Sequence, residues 1–368
     1  MYRMCSRCLM DTTSKDISFY DDGTCNFCND FFHLIEATSS FDAVQREKNL
    51  SALVDEIKSR SKSSKYDVVV GVSGGVDSSY VLLKCIELGL RPLAVHMDNG
   101  WNDAIAVHNI AKLIEFTGVD YIANVQDWHA YDDSLLALVK ADVVDLELLY
   151  DNAAFTTCYM YANKFGVSYI LGGQNDSTEG IRMSSEWNWN KFDKRNMLKI
   201  SSLFGNGGAR NLTLTGTLGF FYYEYIKKIK WVNFLNFFEY DKSNVLSHLQ
   251  EKFGYIPYPY KHYESILTRF YQGYILPKKF SIDKRLGHLS ALVLTGQMSR
   301  DYALSLLKES PYDDPLTLER DLNYFCLRLD LSKSDFENYI SSPRVDHAHY
   351  PSEVTLWRFL SNVKRLIF

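Results

Sequence analysis

The sequence predicts an α/β chain: a doubly wound parallel sheet, with a small four-cysteine ribbon before it and a mostly helical region after it. Three observations carry that reading. The β-branched run Val68 to Val72 passes straight into Ser73-Gly74-Gly75, and a helical pattern follows from Val76 to Leu88. Strand and helix patterns then alternate as far as Leu171, the arrangement of a parallel sheet covered on both faces. Four of the seven cysteines fall in the first 28 residues, as two Cys-x-x-Cys pairs.

The cysteines open the chain. Cys5 and Cys8 form one pair and Cys25 and Cys28 the other. Each Cys-x-x-Cys turn aims two sulfurs at one centre, and two turns complete a tetrahedral S₄ site suited to a structural Zn²⁺ closed to substrate. Disulfides and a redox pair are the competing readings; thiols in a reducing cytosol argue against the first, and the lack of a βαβ context argues against the second. The ribbon is expected over residues 1–32 and a charged, helix-prone connector over 33–65.

An α/β domain is expected over residues 66–200. Val68 to Val72 reads as a buried parallel strand. Two adjacent glycines then permit a tight turn and close approach to a ligand. The first N–H groups of the following helix, with the positive end of its dipole, make an anion site. Ser73, Gly74, Gly75, Val76, Asp77, Ser78 and Ser79 thus form a pyrophosphate loop, with Asp77 offering a carboxylate to Mg²⁺. No lysine follows as in G-x-x-x-x-G-K-[ST], so this is not the common nucleotide loop. Pro92 to Met97 reads as the second strand, Ala104 to Thr117 as a helix and Asp120 to Val125 as the third strand. Helices over about 132–149 and 152–165 precede a strand from Val167 to Leu171. Ligands on such sheets lie at the carboxyl ends of strands, near a reversal of strand order. Two more strand ends therefore draw notice: His96-Met97-Asp98-Asn99-Gly100-Trp101, and Gly172-Gly173-Gln174-Asn175-Asp176-Ser177-Thr178-Glu179. A simple Asn-Gly turn and loop capping are the plain readings of these two segments.

Residues 201–368 are expected to be mostly helical and to bind substrate or a partner. The stretch from Phe220 is aromatic and basic. Lys261, His262, Glu264 and Arg269 fit a turn and a half of helix, and Lys278, Lys279, Lys284 and Arg285 form a second basic cluster able to close over phosphates. Structural salt bridges are the alternative for each of these residues. From residue 299 the pattern is of short amphipathic helices, the first capped by Ser299.

Composition bounds the function. The chain has 368 residues, 46% of them hydrophobic, and a net charge of −5, which gives no support for a nucleic-acid partner. The most lipid-like stretch, Leu218 to Ile226, contains Glu224 and is too short to span a bilayer. No signal peptide is visible, and a cytoplasmic protein is expected.

The Ser-Gly-Gly-x-Asp-Ser pattern resembles the PP-loop ATP pyrophosphatases, such as GMP synthetase, asparagine synthetase and the tRNA thiolation enzymes. Nearly the whole chain is similar to the N-acetyl sugar amidotransferase family of bacterial surface-polysaccharide and nonulosonic acid biosynthesis. The similarity rests on the ribbon, Ser73 to Ser79, Asp98-Asn-Gly-Trp101, Gly172-Gly173 with Thr178-Glu179, and Lys261-His-Tyr-Glu-Ser265 through Asp283-Lys-Arg285 and His288-Leu-Ser290. Gln174 departs from the Asn or Glu expected there. The resemblance implies that ATP is cleaved between its α- and β-phosphates to adenylate an acetamido oxygen, which ammonia then displaces to leave an acetamidino group. It implies ATP contacts by the loop and by His96, Asp98, Asn99, Gly172 and Gly173. It implies catalytic roles for Asp77, Lys261, Arg269, Lys284 and Arg285, and substrate contacts by Trp101, Asn175, Glu179, His262 and Glu264. No Gly-x-Cys-x-Gly glutaminase elbow is present, so the resemblance implies a separate HisH-like glutaminase subunit with a HisF-like, cyclase-like companion. The acceptor would be a nucleotide sugar or a nonulosonic acid. Two other functions compete. A tRNA thiolase would need paired cysteines, and Cys85, Cys158 and Cys326 stand alone. A nucleotide-sensing scaffold would bind ATP without turnover.

Overall fold

The structure, a computed structural model, describes residues 2–38, 42–258, 263–312 and 314–367. Five strands form one sheet: β1 (Val68–Gly71), β2 (Pro92–Asp98), β3 (Tyr121–Val125), β4 (Tyr169–Gly172) and β5 (Lys230–Asn233). Their order is β3-β2-β1-β4-β5 and every pairing is parallel. The side-chain period of two divides β1 between two cores. Val68 and Val70 join a cluster with Val54, Ile57, Leu82 and Leu113 on one face. Val69 joins Cys158, Tyr159 and Ala162 on the other. Helices therefore cover both faces, as the alternation predicted.

Ahead of the sheet lie α1 (Asn26–Thr38) and α2 (Ala43–Arg60). Within it are α3 (Val76–Glu87), α4 (Ala104–Thr117), α5 (Trp128–Lys140), α6 (Leu148–Phe165), α7 (Asp176–Glu179), α8 (Lys194–Phe204) and α9 (Thr217–Phe221). The bounds of α4 follow from its caps. Asp103 accepts the Ile105 N–H at 2.9 Å, and Gly118 at φ 63° ends the helix in the left-handed region. The helix expected over 132–149 instead starts at Trp128, capped by Asp127, and stops before Asp142, which sits at φ 54°.

Two differences from the sequence expectations matter for the site. β5 comes from beyond residue 200, out of the aromatic and basic run, so the sheet is not completed within 66–200. It is only four residues long, and Lys-Trp-Val-Asn has too few residues to show a period. Second, Glu264 is not helical. The helix α11 (Ile266–Phe270) begins after the Ser265 cap and continues as a π-helix over Tyr271–Phe280.

The remaining helices are α10 (Lys242–Phe253), α12 (Arg285–Leu294), α13 (Arg300–Lys308), α14 (Pro315–Arg328), α15 (Lys333–Ser341) and α16 (Val354–Ile367). Ser299 caps α13, as expected. The ribbon packs on this region: Leu9 donates its N–H to Ser290 Oγ at 3.0 Å, and Arg300 reaches the Cys5 carbonyl at 2.9 Å. Ribbon residues Leu9, Phe27 and Phe31 share one core with Phe270, Ile275 and Phe325. No helix among the described residues is long and apolar enough to cross a membrane.

Candidate functional site

The strand order reverses beside β1: β2 and β3 lie on one side, β4 and β5 on the other. The loops leaving β1 and β4 are thus neighbours at the carboxyl edge, where such sheets hold ligands. Gly75 caps α3 with no side chain, leaving the first N–H groups of the helix facing the turn. Gly74 has φ 82°, and a Cβ there would lie 2.6 Å from the Ala106 carbonyl, so only glycine fits. A Cβ on Gly173 would lie 2.9 Å from Cβ of Asp77 and 3.1 Å from the Ser78 nitrogen. The end of β4 is therefore pressed against the first turn of α3.

Ser73 and Ser78 line this cradle. Their hydroxyls lie 3.2 Å apart, and Ser78 Oγ accepts the Ser73 N–H at 3.2 Å. Ser79 differs from expectation: it is fully buried, and its hydroxyl turns back to the Gly75 carbonyl at 2.8 Å. Val76 supplies a backbone N–H at the first helical position. Asp77 accepts a hydrogen bond from the Tyr240 hydroxyl. Burial and the adjacent carboxylates of Asp77 and Glu179 push that phenol well above its usual range, so it stays a donor.

A second chain segment closes over the cradle. Asn109, fully buried on α4, accepts the Ile256 N–H and donates to the Ile256 carbonyl, both at 2.9 Å. The Tyr255 hydroxyl donates to the Gly74 carbonyl at 3.2 Å. Asn109, Tyr240 and Tyr255 were missed in the sequence. A lone polar residue on the apolar face of α4 is the one signal that marks Asn109.

Beside the cradle a cavity of about 150 Å³ opens between the ends of β1 and β2 and helix α6, lined by Gly71, Ser73, Met97, Ala154, Phe155 and Trp231. His96 and Cys158 also border it. His96 braces its wall. Its Nδ1–H donates to the Val72 carbonyl at 2.7 Å, while Nε2 accepts from Asn102 Nδ2 at 3.0 Å. Burial pushes this imidazole down, in keeping with a neutral ring. Asp98 Oδ1 accepts the Gly100 N–H at 2.8 Å, and Asn99, fully buried, accepts the Trp101 N–H at 3.1 Å. These side chains shape the turn from behind. Gly172 lets Trp231 pack, since a Cβ there would lie 2.7 Å from the indole nitrogen.

The expected substrate contacts divide. Trp101 is fully buried; its indole donates to Asp132 at 3.0 Å and Arg328 stacks over its ring at 4.7 Å. It is core, not a contact surface. Asn175 is a helix cap, accepting the Thr178 N–H at 2.9 Å. Glu179 is half-buried at the end of α7. Glu264 does reach the cradle: its carboxyl carbon lies 3.6 Å from where a Cβ of Gly75 would stand. Backbone pairing places it there, with the Asp103 N–H on the Glu264 carbonyl and the Ile266 N–H on the Trp101 carbonyl, both at 2.9 Å. Lys261 and His262 lie outside the described residues.

Arg269, Lys284 and Arg285 are brought together, but not as bare cations. All three line one cavity of about 310 Å³. Arg269 holds Asp321 in a fork, at 2.6 and 2.9 Å, and Asp103 at 3.0 Å. Burial opposes its charge, but Asp321 and Asp103 outweigh this and raise its pKa further. Lys284 pairs with buried Glu147 at 2.8 Å, and Arg285 with Asp283 at 2.8 Å. Lys279 pairs with Asp142, and Lys278 is exposed. Three of the four cations of the expected clamp over phosphates, Lys279, Lys284 and Arg285, are thus paired with carboxylates.

The cysteines meet the geometry of a zinc centre. All four are buried, with sulfurs within 4.8 Å of one another. Cys5–Cys28, Cys8–Cys25 and Cys25–Cys28 stand at 3.5, 3.7 and 3.8 Å. A tetrahedron with Zn–S bonds of about 2.3 Å has edges of about 3.8 Å. Backbone N–H groups of Arg7, Cys8 and Met10 point at the sulfurs from 3.4 to 3.5 Å, stabilising thiolates. Among the described residues this is the only cluster of three or more such ligands.

With this geometry in place, comparison with known proteins is informative. Residues 264–364 match a family model described as the LPS biosynthesis protein WbpG-like, C-terminal domain. That finding supports the resemblance to the amidotransferases of surface-polysaccharide biosynthesis. The matched stretch begins at Glu264, the residue beside the cradle. A curated protein, the glutamine-hydrolyzing GMP synthase of Pyrobaculum aerophilum, is 35% identical over 82 residues, which is 22% of this chain and 16% of that protein. The match therefore spans about a sixth of that relative. Among solved structures, NMN synthetase from Francisella tularensis aligns with 16% identity over 58% of this chain and 87% of its own, at a TM-score of 0.31. The NH3-dependent NAD synthetase of Campylobacter jejuni aligns with 17% identity over 60% of this chain and all of its own, at 0.30.

Proposed function

We propose that this protein is an ATP-dependent N-acetyl sugar amidotransferase, converting an acetamido group to an acetamidino group in surface-polysaccharide sugar biosynthesis. One observation carries the reading: the WbpG-like domain presents Glu264 to the same glycine turn that forms an anion cradle after β1.

The chemistry follows from the groups present. The acetamido oxygen attacks the α-phosphorus of ATP, the α–β bridge breaks, and pyrophosphate departs with that electron pair. N–H groups of the first turn of α3, with Ser73 and Ser78, take up the charge that develops on the leaving group. Magnesium on Asp77 would add to this neutralisation when bound. Ammonia then adds to the activated carbon, loses a proton, and AMP leaves with the former amide oxygen. Glu264, whose carboxyl lies against the glycine turn, would hold the attacking nitrogen or accept its proton. The adenine ring fits the 150 Å³ cavity beside Ser73. Ammonia is supplied by a separate glutaminase subunit, with a cyclase-like companion. A thiolation reading finds no support: Cys158 borders that cavity, but burial pushes its thiol up to about 12, leaving a poor sulfur nucleophile.

The test is to supply ATP, Mg²⁺, ammonium and a panel of N-acetylated nucleotide sugars and nonulosonic acids. AMP and pyrophosphate should appear in step with an amidine product one mass unit lighter than the amide. Formation of ADP and orthophosphate, or no turnover across the panel, overturns the proposal.

A further inference from the structure

The 310 Å³ cavity in the carboxyl-terminal region has no part in nucleotide binding as described above, and its construction is specific. Helix α12 gives it a single stripe, Arg285, His288, Leu289 and Leu292, at the i, i+3, i+4 and i+7 positions. Facing this, α11 and the π-helix give Thr268, Arg269, Gln272 and Gly273. Tyr263 and Thr178 reach its border, the first next in sequence to Glu264, the second in the helix after Gly173. The cavity therefore adjoins the cradle through the two elements that touch the glycine turn.

Among the described residues its lining has two characters and no carboxylate. Leu289, Leu292, Met298, Leu306 and Pro311 form an apolar wall. Arg269, Gln272 and Lys284 form a polar one, locked from behind: Gln272 and Lys284 share the two oxygens of Glu147 at 2.9 and 2.8 Å, and Arg269 is held by Asp321 and Asp103. Charges so compensated do not build a trap for pyrophosphate. They present rigid donors to neutral hydroxyl and carbonyl oxygens. At about 310 Å³ the space sits at the lower end of small-molecule sites, roughly 300–1,000 Å³, so one substituted ring fills it.

We infer that this cavity holds the acceptor as a single pyranose ring, its hydroxyls on the Arg269–Gln272–Lys284 wall and its N-acetyl methyl on the Leu289–Leu292–Met298 wall. This rests on the proposed function for the identity of the acceptor as an N-acetyl sugar. The residues of the cavity are then specificity residues rather than pyrophosphate ligands.

Calorimetric titration tests it without turnover. The probes are UDP-N-acetylglucosamine and N-acetylneuraminic acid, each beside its free-amine counterpart, with ATP titrated separately. The wild-type chain should bind at least one acetylated probe tenfold more tightly than its amine. Leu292→Trp, which fills the apolar wall, should weaken that binding at least tenfold while ATP affinity reports that the fold survives. Leu292→Ala, a smaller change, should weaken it severalfold. Equal affinity for amide and amine, no binding of either acetylated probe, or unchanged binding in Leu292→Trp with ATP binding intact, each overturns the inference. Binding that behaves as expected without release of AMP and pyrophosphate would instead sink the proposed function and leave the cavity as a sugar site.

Discussion

At the scale of single residues, Gly173 lets the end of β4 press directly against the first turn of α3. A methyl group there would meet the Cβ and carbonyl carbon of Asp77 and the Ser78 nitrogen at 2.9 to 3.1 Å, and backbone cannot yield as a flexible side chain can. Gly173→Ala should therefore shift the first turn of α3, costing about 1–3 kcal/mol of stability by overpacking. The same shift moves the N–H donors that face the departing phosphates, so ATP-dependent pyrophosphate release should fall at least tenfold. Thermal unfolding and a pyrophosphate assay on the one variant check both effects; wild-type values in either would show that the contact is not confining. The strand–glycine turn–helix arrangement at Gly74 and Gly75 was legible in the sequence because a β-branched run, two glycines and a helical pattern follow one another there. Trp101 and Asn175 were not separable from ligand contacts, since a buried indole and a capping amide look the same in a string of letters as ones that face a substrate.

At the scale of elements, His347 ties three pieces of chain together. Its Nδ1–H donates to Asn196 Oδ1 on α8 at 2.8 Å, and its Nε2 accepts the Asp145 N–H at 3.3 Å. Burial pushes this imidazole down to about 4, from an ordinary value of 6.5. A folded-state pKa below the unfolded one means the unfolded chain binds the proton first. The stability His347 contributes is thus complete above about pH 6.5 and is lost as the pH falls toward 4, by about 3 kcal/mol. Denaturant unfolding at pH 7 and pH 4.5 should show the loss, and His347→Gln should flatten the slope in that window. An equal slope in the variant would assign the effect to other groups. The strands and helices of the sheet were readable from their periods and caps. β5 and the π-helix were not: four residues show no period, and a Pro277-containing segment breaks the helical pattern that sequence reading relies on. The basic clusters were readable as clusters, but the carboxylates that pair with them come from up to 166 residues away, and one sequence does not announce such partners.

For the whole molecule, the four-cysteine ribbon is an integral part of the carboxyl-terminal core. Arg300 on α13 reaches the carbonyls of Cys5 and Cys8, and Ser290 on α12 accepts from Leu9. Helix α12 lines the 310 Å³ cavity with its other residues, so loosening the ribbon should loosen that cavity first. The purified protein should carry one zinc per chain by mass spectrometry. Chelation, or Cys28→Ser, should lower the melting temperature by several degrees and weaken binding of the N-acetyl sugar probes more than binding of ATP. Equal loss of both would mean the ribbon supports the fold as a whole; no loss of either would mean the sulfurs hold nothing the fold needs.

The short antiparallel pairing of residues 101–103 with 264–266 has one more consequence. It stitches the turn after β2 to residues 264–266, where the stretch that matches the WbpG-like model starts, by main-chain hydrogen bonds, which do not swing as a hinge does. Under the proposed function, the gap between triphosphate and acceptor would then be a fixed gauge cut into the scaffold. Which amide on a sugar is modified would be decided by reach along that gauge, so a substrate with its acetamido group one ring carbon further round would seat equally well and still not react.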